Sequence, residues 1–497
     1  MFPSDKQLIK QLLKTAHELL PQIERADHKA SLGAMEVIIN ELLLRSDKAF
    51  YLDYYADGCR LLEEARALSG IHINDATQRD IDRLPRDLAA NVDADTLRDG
   101  TLALSRLLET LVKAIDPGGD EKSVSLLKRI GAWDIKLLAQ RLQPAKASAA
   151  DPVAGVSIDQ QKLEHYLRQA KPDWADLKVI SFSKVPGGFS KCTILFETED
   201  RVNGRQQLAI RAEQPIHLLE LDGSNIANEY PLVAKAFASG IPTAEPLWLE
   251  TDRQHFNSRF LVSRKASGIN FGTATGASTK LRPEAVRSLA EVMANIHRIP
   301  MKRGDAWIEQ SHFGKWLDHG NTRQNTLARI AEWEKQSRDA ELFPSPQIAR
   351  AIRWLSANVP EFEGPPVFLH GDYGPHNILL DGDRVSAVLD WEIATPGDSA
   401  YDVCWFLNCT AGVVEPAQFI DCYLAAGGLP ISEYRLRYFE AFASMFMPIT
   451  CVAALKLIED EDQANVNLAY YGLRFAHEYA SRMEKAIERA EAVRHLQ

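Results

Sequence analysis

The sequence predicts an α+β chain: an all-helical N-terminal domain, then a small antiparallel sheet, then a largely helical remainder. Three observations predict it. Residues 1–142 space their apolar residues at helical intervals almost throughout. From Leu177 the texture changes to short β-rich runs separated by Gly and Pro. From Arg282 helices return with one interruption, the stretch "FLHGDYGPHNILLDGDRVSAVLDWE" from Phe368 to Glu392. At 497 residues the chain exceeds one typical core, so more than one domain is expected.

In the first region, "DKQLIKQLLKTAHELL" sets Leu8, Leu12, Ala16 and Leu19 on one helix face. "GAMEVIINELLL", "GCRLLEEARAL" and "TLALSRLLETLVKAI" repeat the texture up to Pro117-Gly118-Gly119. Residues 1–142 gather no catalytic residue types, so a packing, oligomerisation or regulatory domain is expected there. "QPAKASAADPVAGVS", residues 143–157, has no apolar period and predicts a linker. Next, "LKVISFSKVPGGFSKCTILFET" predicts two strands around Pro186-Gly187-Gly188, and "RQQLAIRAE" a third. "NEYPLVAKAFASG" predicts a helix closed by Gly240, and "PLWLE" and "RFLVSRKASG" two more strands. Within the interruption, "VFLH", "NILLD" and "VSAVLDW" are short strands, the last two joined by the hairpin turn Asp381-Gly382-Asp383.

Composition narrows the function. A formal net charge of -11 disfavours a nucleic-acid or anionic-membrane binder, since either needs a basic surface. The six cysteines form no CxxC pair, which fits reduced thiols better than a zinc site. "MFPSDKQLIKQLL" has no apolar signal-peptide core, and "FASMFMPITCVAALKL" is too short to span a bilayer and holds a proline. A cytoplasmic protein with neither nucleic acid nor membrane as partner is expected.

The interruption carries the chemistry. Phosphoryl transfer needs a carboxylate beside the acceptor hydroxyl and oxygen ligands that hold magnesium against the phosphates. The protein-kinase catalytic loop supplies them as His-x-Asp, four residues, then Asn, with a metal-binding Asp on a later hairpin. This chain has His370-Gly371-Asp372, four residues, Asn377, then Asp390 after a hairpin. Asp372 is the expected catalytic base, and Asn377 and Asp390 the expected magnesium ligands. The alternative, a surface turn that happens to carry acids, does not account for the hairpin and the flanking apolar strands.

"HGDYGPHNILL…AVLDWEIATPGDSAYDVCWFL" resembles the aminoglycoside phosphotransferase and choline kinase-like superfamily, over about Leu177 to Glu488. The resemblance implies a two-lobed protein-kinase-like fold, with residues 158–268 as the nucleotide-binding N-lobe and 269–497 as the C-lobe. It implies ATP and Mg2+ as cofactors, and gives Asp372, Asn377 and Asp390 the roles above. Asp398 and Asp402 match acidic positions usually structural in that family, capping or ordering the following helix. "VPGGFSK" resembles the glycine-rich phosphate loop, with Gly187, Gly188 and Ser190 at the nucleotide. Arg211 stands where the kinase pattern has a strand lysine, with Glu229 as its helix partner. Val262, Ser263 and Arg264 fall in the expected adenine hinge, which lies within Val262–Ala266.

Arg211 and "WEIATPGD" are also similar to the kinase branch found fused to or beside acyl-CoA dehydrogenases. That similarity implies phosphorylation of a hydroxyacyl-CoA. The helical insert from Glu309 to Phe362 is expected on the acceptor side, where some of its Lys and Arg residues would meet an anionic handle such as the phosphates of coenzyme A. An aminoglycoside or macrolide kinase is the enzymatic alternative. A silent nucleotide- or partner-binding pseudokinase is the alternative of another class, and the joint presence of Asp372, Asn377 and Asp390 argues against it. A homo-oligomer through the helical domain is the expected protein partner.

Overall fold

The computed structural model describes residues 48–68, 71, 73–85, 92, 94–117, 119–140, 158–174, 176–185, 191–213, 225–273, 276–339, 345–459 and 466–496. The helices expected at 5–20 and 33–44, the linker 143–157 and the turn holding Gly187, Gly188 and Ser190 lie outside these residues. The chain divides into two compact units. One gathers residues 1–150, 329–359 and 441–494; the other gathers 151–328, 360–440 and 495–497.

The first unit is helical. Lys48–Ala67, Ala94–Ala114 and Glu121–Gln140 bury Tyr54, Leu62, Leu104, Leu108, Ile130 and Trp133 in one core. Trp133 stacks on Tyr54 at 4.3 Å between ring centroids and donates its Nε1–H to the Tyr54 carbonyl at 2.9 Å. The helix Pro346–Ala357 joins this core through Ala349. Buried Asp134 accepts from Ser345 Oγ at 2.6 Å and from the Gln347 N–H at 3.2 Å, and Arg353 donates to the Ile115 carbonyl at 2.8 Å. Segments 329–359 and 441–494 cluster with the N-terminal helices. Packing between helices distant in sequence decides this, and an amphipathic period says which face is buried but not against what.

The second unit begins with the sheet. Its strands are β1 (Lys178–Val185), β2 (Lys191–Asp200), β3 (Gly204–Glu213), β4 (Pro246–Glu250) and β5 (Phe260–Arg264), in the order β1-β2-β3-β5-β4 with antiparallel neighbours. Alternation sorts their side chains. Ile194, Phe196, Leu208, Ile210 and Val262 bury on one face with Leu163, Tyr166 and Leu167 of the helix Gln160–Ala170. Lys191, Thr193 and Arg211 belong to the other face by parity, Thr193 lying opposite Arg211. The helix Ile226–Ala238 connects β3 to β4, is capped by the Asn225 side chain, and is followed by Gly240 at φ 79°. These strands and this helix are the ones expected.

Helices follow: Pro283–His297, Ser399–Cys409 and Pro416–Ala425 surround the interrupting stretch. Val367–Leu369 pairs with Thr395–Gly397, and Ile378–Asp381 with Arg384–Val388 through a turn at Gly382, φ 61°. None of the six cysteines is in a disulfide. Among the described residues no helix is long and apolar enough to cross a membrane.

Candidate active site

Asp372 leaves the end of the strand Val367–Leu369 in a loop that the protein interior holds at several points. Gly371 adopts φ 83°, and a Cβ there would sit 2.5 Å from the Ile393 carbonyl, so only glycine lets the chain turn at this place. The carboxylate of Asp402 accepts both the His370 and Gly371 N–H groups, at 2.8 and 2.9 Å, and His297 lies against it at 3.2 Å. The His370 ring is fully buried and uses both nitrogens. Nε2 lies 3.0 Å from the Leu389 carbonyl, which only accepts, so Nε2 carries the proton. Nδ1 then accepts the Asp372 N–H at 3.2 Å. This ring is a neutral strut between the His370–Asn377 loop and the chain entering Asp390.

The Asp372 carboxylate is itself gripped by three donors. Trp405 Nε1 donates to Oδ1 at 2.7 Å, Asn377 Nδ2 to Oδ2 at 2.9 Å, and His376 Nε2 to Oδ2 at 3.1 Å. Burial would lower the His376 pKa, but the Asp372 hydrogen bond and charge raise it above the usual histidine value. Asp398 caps the helix Ser399–Cys409 through the Ala400 N–H at 2.8 Å and pairs with Arg435 at 2.6 Å. Its expected capping role is the one found. Asp402 does more than order its own helix, since its oxygens hold the backbone of the His370–Asn377 loop.

Asp390 adopts φ 65°, a left-handed conformation uncommon for a residue with a side chain. Arg211 reaches its Oδ1 at 2.8 Å and lies 3.6 Å from Glu229 Oε1. Burial pushes the Asp390 carboxyl upward, but Arg211 outweighs it and holds the pKa below the usual carboxylate value. Burial likewise opposes the Arg211 charge and is overcome by Asp390, Glu229 and Glu392. Glu229 is raised by burial despite Arg211. The turn ends at Glu392, whose Oε2 meets Lys191 Nζ at 3.1 Å.

Arg211, Glu229 and Asp390 are thus brought together, as are Asp372 and Asn377. Val262 is buried within the sheet, Ser263 pairs in register with Ala209 and Pro246, and the exposed Arg264 side chain pairs with Glu245 at 2.7 Å. The N–H groups of Arg264 and Lys265 are committed to Glu245 and Gln207 carbonyls, both at 2.9 Å. Sequence reasoning missed Lys191, His376, Glu392 and Trp405. Lys191 directly follows the glycine-rich turn and Glu392 completes the D-W-E segment, so both signals were present.

Asn377 and Asp390 fit a magnesium ion as donors. The Asn377 amide nitrogen is spent on Asp372, which leaves its carbonyl oxygen for a cation, and Arg211 meets Oδ1 of Asp390, with Oδ2 as the second carboxylate oxygen. Magnesium bound beside phosphates keeps waters and takes only one or two protein oxygens.

A sheet-and-helix lobe whose arginine reaches across to an Asp-Trp-Glu turn, beside a His-Gly-Asp loop ending in Asn, defines a kinase-like phosphotransferase fold. The family model described as "Phosphotransferase enzyme family" matches residues 182–439, more than half of the chain, and the chain belongs to that family. Acyl-CoA dehydrogenase family member 11 of Mus musculus is 26% identical over 252 residues, 50% of this chain and 30% of that protein. Hygromycin-B 4-O-kinase of Escherichia coli is 27% identical over 153 residues, 29% of this chain and 41% of that protein. The chain spans less than a third of the length of the dehydrogenase-family relatives it matches first. Among solved structures, macrolide 2'-phosphotransferase from Brachybacterium faecium aligns with a TM-score of 0.41 at 17% identity, covering 64% of this chain and 98% of that one.

Proposed function

We propose that the protein is an ATP- and magnesium-dependent kinase that phosphorylates a hydroxyl group of a small molecule. The observation that carries this is the Asp372 carboxylate, aimed by Trp405, Asn377 and His376 from a loop whose backbone Asp402 fixes. A carboxylate so held orients an acceptor hydroxyl and takes its proton as the bond to phosphorus forms. Bound magnesium would neutralise charge on the phosphates, held by Asn377 and Asp390. Arg211 keeps Asp390 ionised and in place. The nucleotide would contact the glycine-rich segment Gly187, Gly188 and Ser190, with adenine along Val262–Ala266, nearest the backbone beyond Lys265.

For the acceptor, a hydroxyacyl-CoA is the reading we favour. The relatives named as acyl-CoA dehydrogenase family members support it, since they match about half of this chain. The coenzyme A handle would not come from every cation of the helical insert. Arg350 pairs with Glu484 and Arg353 donates to the Lys113 and Ile115 carbonyls, so both are committed within the helical unit. The hygromycin-B 4-O-kinase match keeps an antibiotic acceptor as the second reading. The test is ADP release by the purified chain with hydroxylated acyl-CoAs, aminoglycosides, macrolides and amino alcohols. Turnover of 4-hydroxyacyl-CoA is expected. Drug phosphorylation without acyl-CoA turnover reverses the ranking, and ATP left intact by every acceptor removes the kinase reading.

A further inference from the structure

Lys191 opens β2 directly after the glycine-rich turn, and only 3% of its side chain is exposed. An ammonium group taken that far from water needs a counter-charge. Its register partner on β3 is Glu213, but that carboxylate serves Arg259 at 3.0 Å and the Ile226 N–H at 2.7 Å. Lys191 reaches Glu392 instead, at 3.1 Å. Two residues before Glu392, Asp390 receives Arg211 from the adjacent strand. Lys191 and Arg211 belong to the same sheet face, so two cations from neighbouring strands hold two carboxylates of one turn. Between those carboxylates Trp391 is buried at 1% exposure, and Asp390 keeps its left-handed φ of 65°. A side-chain-bearing residue stays in that conformation only where its surroundings hold it.

We propose that Lys191 is a positioning residue for the metal-ligating carboxylate: by holding Glu392 it fixes the far end of the Asp390–Trp391–Glu392 turn, and with it the aim of Asp390. This rests on the reading of Asp390 as a magnesium ligand. Trp391 anchors the middle of the turn, its Nε1–H lying 3.1 Å from the Val388 carbonyl and 3.2 Å from Thr243 Oγ, and Arg211 meets it at Asp390. The Lys191 ion pair adds a restraint at its far end. The carboxylate is then presented to a cation without first being ordered, which is how partners beyond the ligands themselves raise metal affinity.

The experiment is calorimetric titration of the full chain with AMP-PNP at a series of magnesium concentrations, with adenosine as a metal-independent control. In the parent protein AMP-PNP affinity rises with magnesium, and Asp390→Asn removes most of that rise. If the parent binds AMP-PNP without regard to magnesium, or Asp390→Asn keeps the full dependence, the metal-site reading itself is wrong and the proposal goes with it. With that reading intact, Lys191→Met raises the magnesium needed for half-maximal enhancement about tenfold, the scale for losing an outer-shell partner. Adenosine binding stays at the parent value. Lys191→Arg restores most of the dependence, and so does the exchange of Lys191→Glu with Glu392→Lys. A Lys191→Met protein with the parent's magnesium dependence overturns the proposal. A parallel loss of adenosine and AMP-PNP binding at an unchanged magnesium half-point also overturns it, because the pair then serves the lobe as a whole. Should Lys191→Met not fold, Glu392→Gln carries the same expectation, and the parent's dependence in that variant is equally decisive.

Discussion

The catalytic loop and the metal turn are held by different physics. Around Asp372 the restraints are mostly hydrogen bonds from the loop itself and the helix that follows: Asn377, His376, Trp405, and Asp402 beneath the backbone. Around Asp390 and Glu392 the added restraints are charges from the sheet, Arg211 on β3 and Lys191 on β2, beside the buried, hydrogen-bonded Trp391. The Asp372 site is built by a short stretch of chain and is directional. The Asp390 site depends on elements far upstream and on charge balance. Loss of one donor at Asp372 should degrade aim, whereas loss of one cation at Asp390 should also unbalance the fold.

The largest expected effect breaks the first half of this comparison. Asp372→Asn keeps the shape and loses the proton acceptor, so kcat for the true acceptor should fall by about a thousandfold, with AMP-PNP binding preserved. Near-parent turnover would remove Asp372 from its role. Next, Asp390→Ala should raise the magnesium needed for half-maximal velocity by at least about tenfold, and more than Asn377→Ala does, because a carboxylate brings net charge to a hard cation. Equal requirements in both variants and the parent would contradict the assignment. Third, Arg211→Met leaves Glu229, 1% exposed, and Asp390 without the guanidinium that pairs with both. A stability loss of about 3 kcal/mol in urea is expected, partly recovered by Arg211→Lys. Unchanged stability would show that the charge balance is not what holds this turn.

The same contrast explains what the sequence reveals. Asp372, Asn377 and Asp390 are legible because the spacing of a loop and a hairpin is local, and so are the strands around Gly382 and the helix that Gly240 closes. Arg211 and Glu229 follow from order along the sheet. Lys191–Glu392 is not legible, since pairing a strand residue with a residue of a distant turn requires knowing how the sheet faces that turn. Trp405 reads in sequence as one more apolar helix residue, and only the fold brings its N–H to Asp372. The composition of the helical unit is not legible for a related reason. Ala349 and Asp134 share a core because two helix faces complement each other, and no spacing in either segment records it.

The smallest effect concerns the strut that joins the two regions. Burial holds the His370 pKa below the ordinary value of 6.5, against the charges of Asp402, Asp372 and Asp390, which pull it upward. Above 6.5 the ring is neutral in both folded and unfolded chains, and its contribution to stability is constant. As pH falls below 6.5 the unfolded chain takes up a proton that the folded one refuses, so stability drops with falling pH until the depressed folded value is reached. The slope from one such group is at most about 1.4 kcal/mol per pH unit. Protonation would also cost the Nδ1 acceptor that holds the Asp372 N–H. Hydrogen exchange of the peptide spanning residues 366–392 should therefore quicken between pH 7.5 and 5.5, after correction for the intrinsic rate. His370→Gln should start less protected yet show a flatter pH response, and comparison with the parent cancels the other histidines. An identical response in both proteins would mean that His370 titrates normally, and that the link between base loop and metal turn does not depend on a neutral ring.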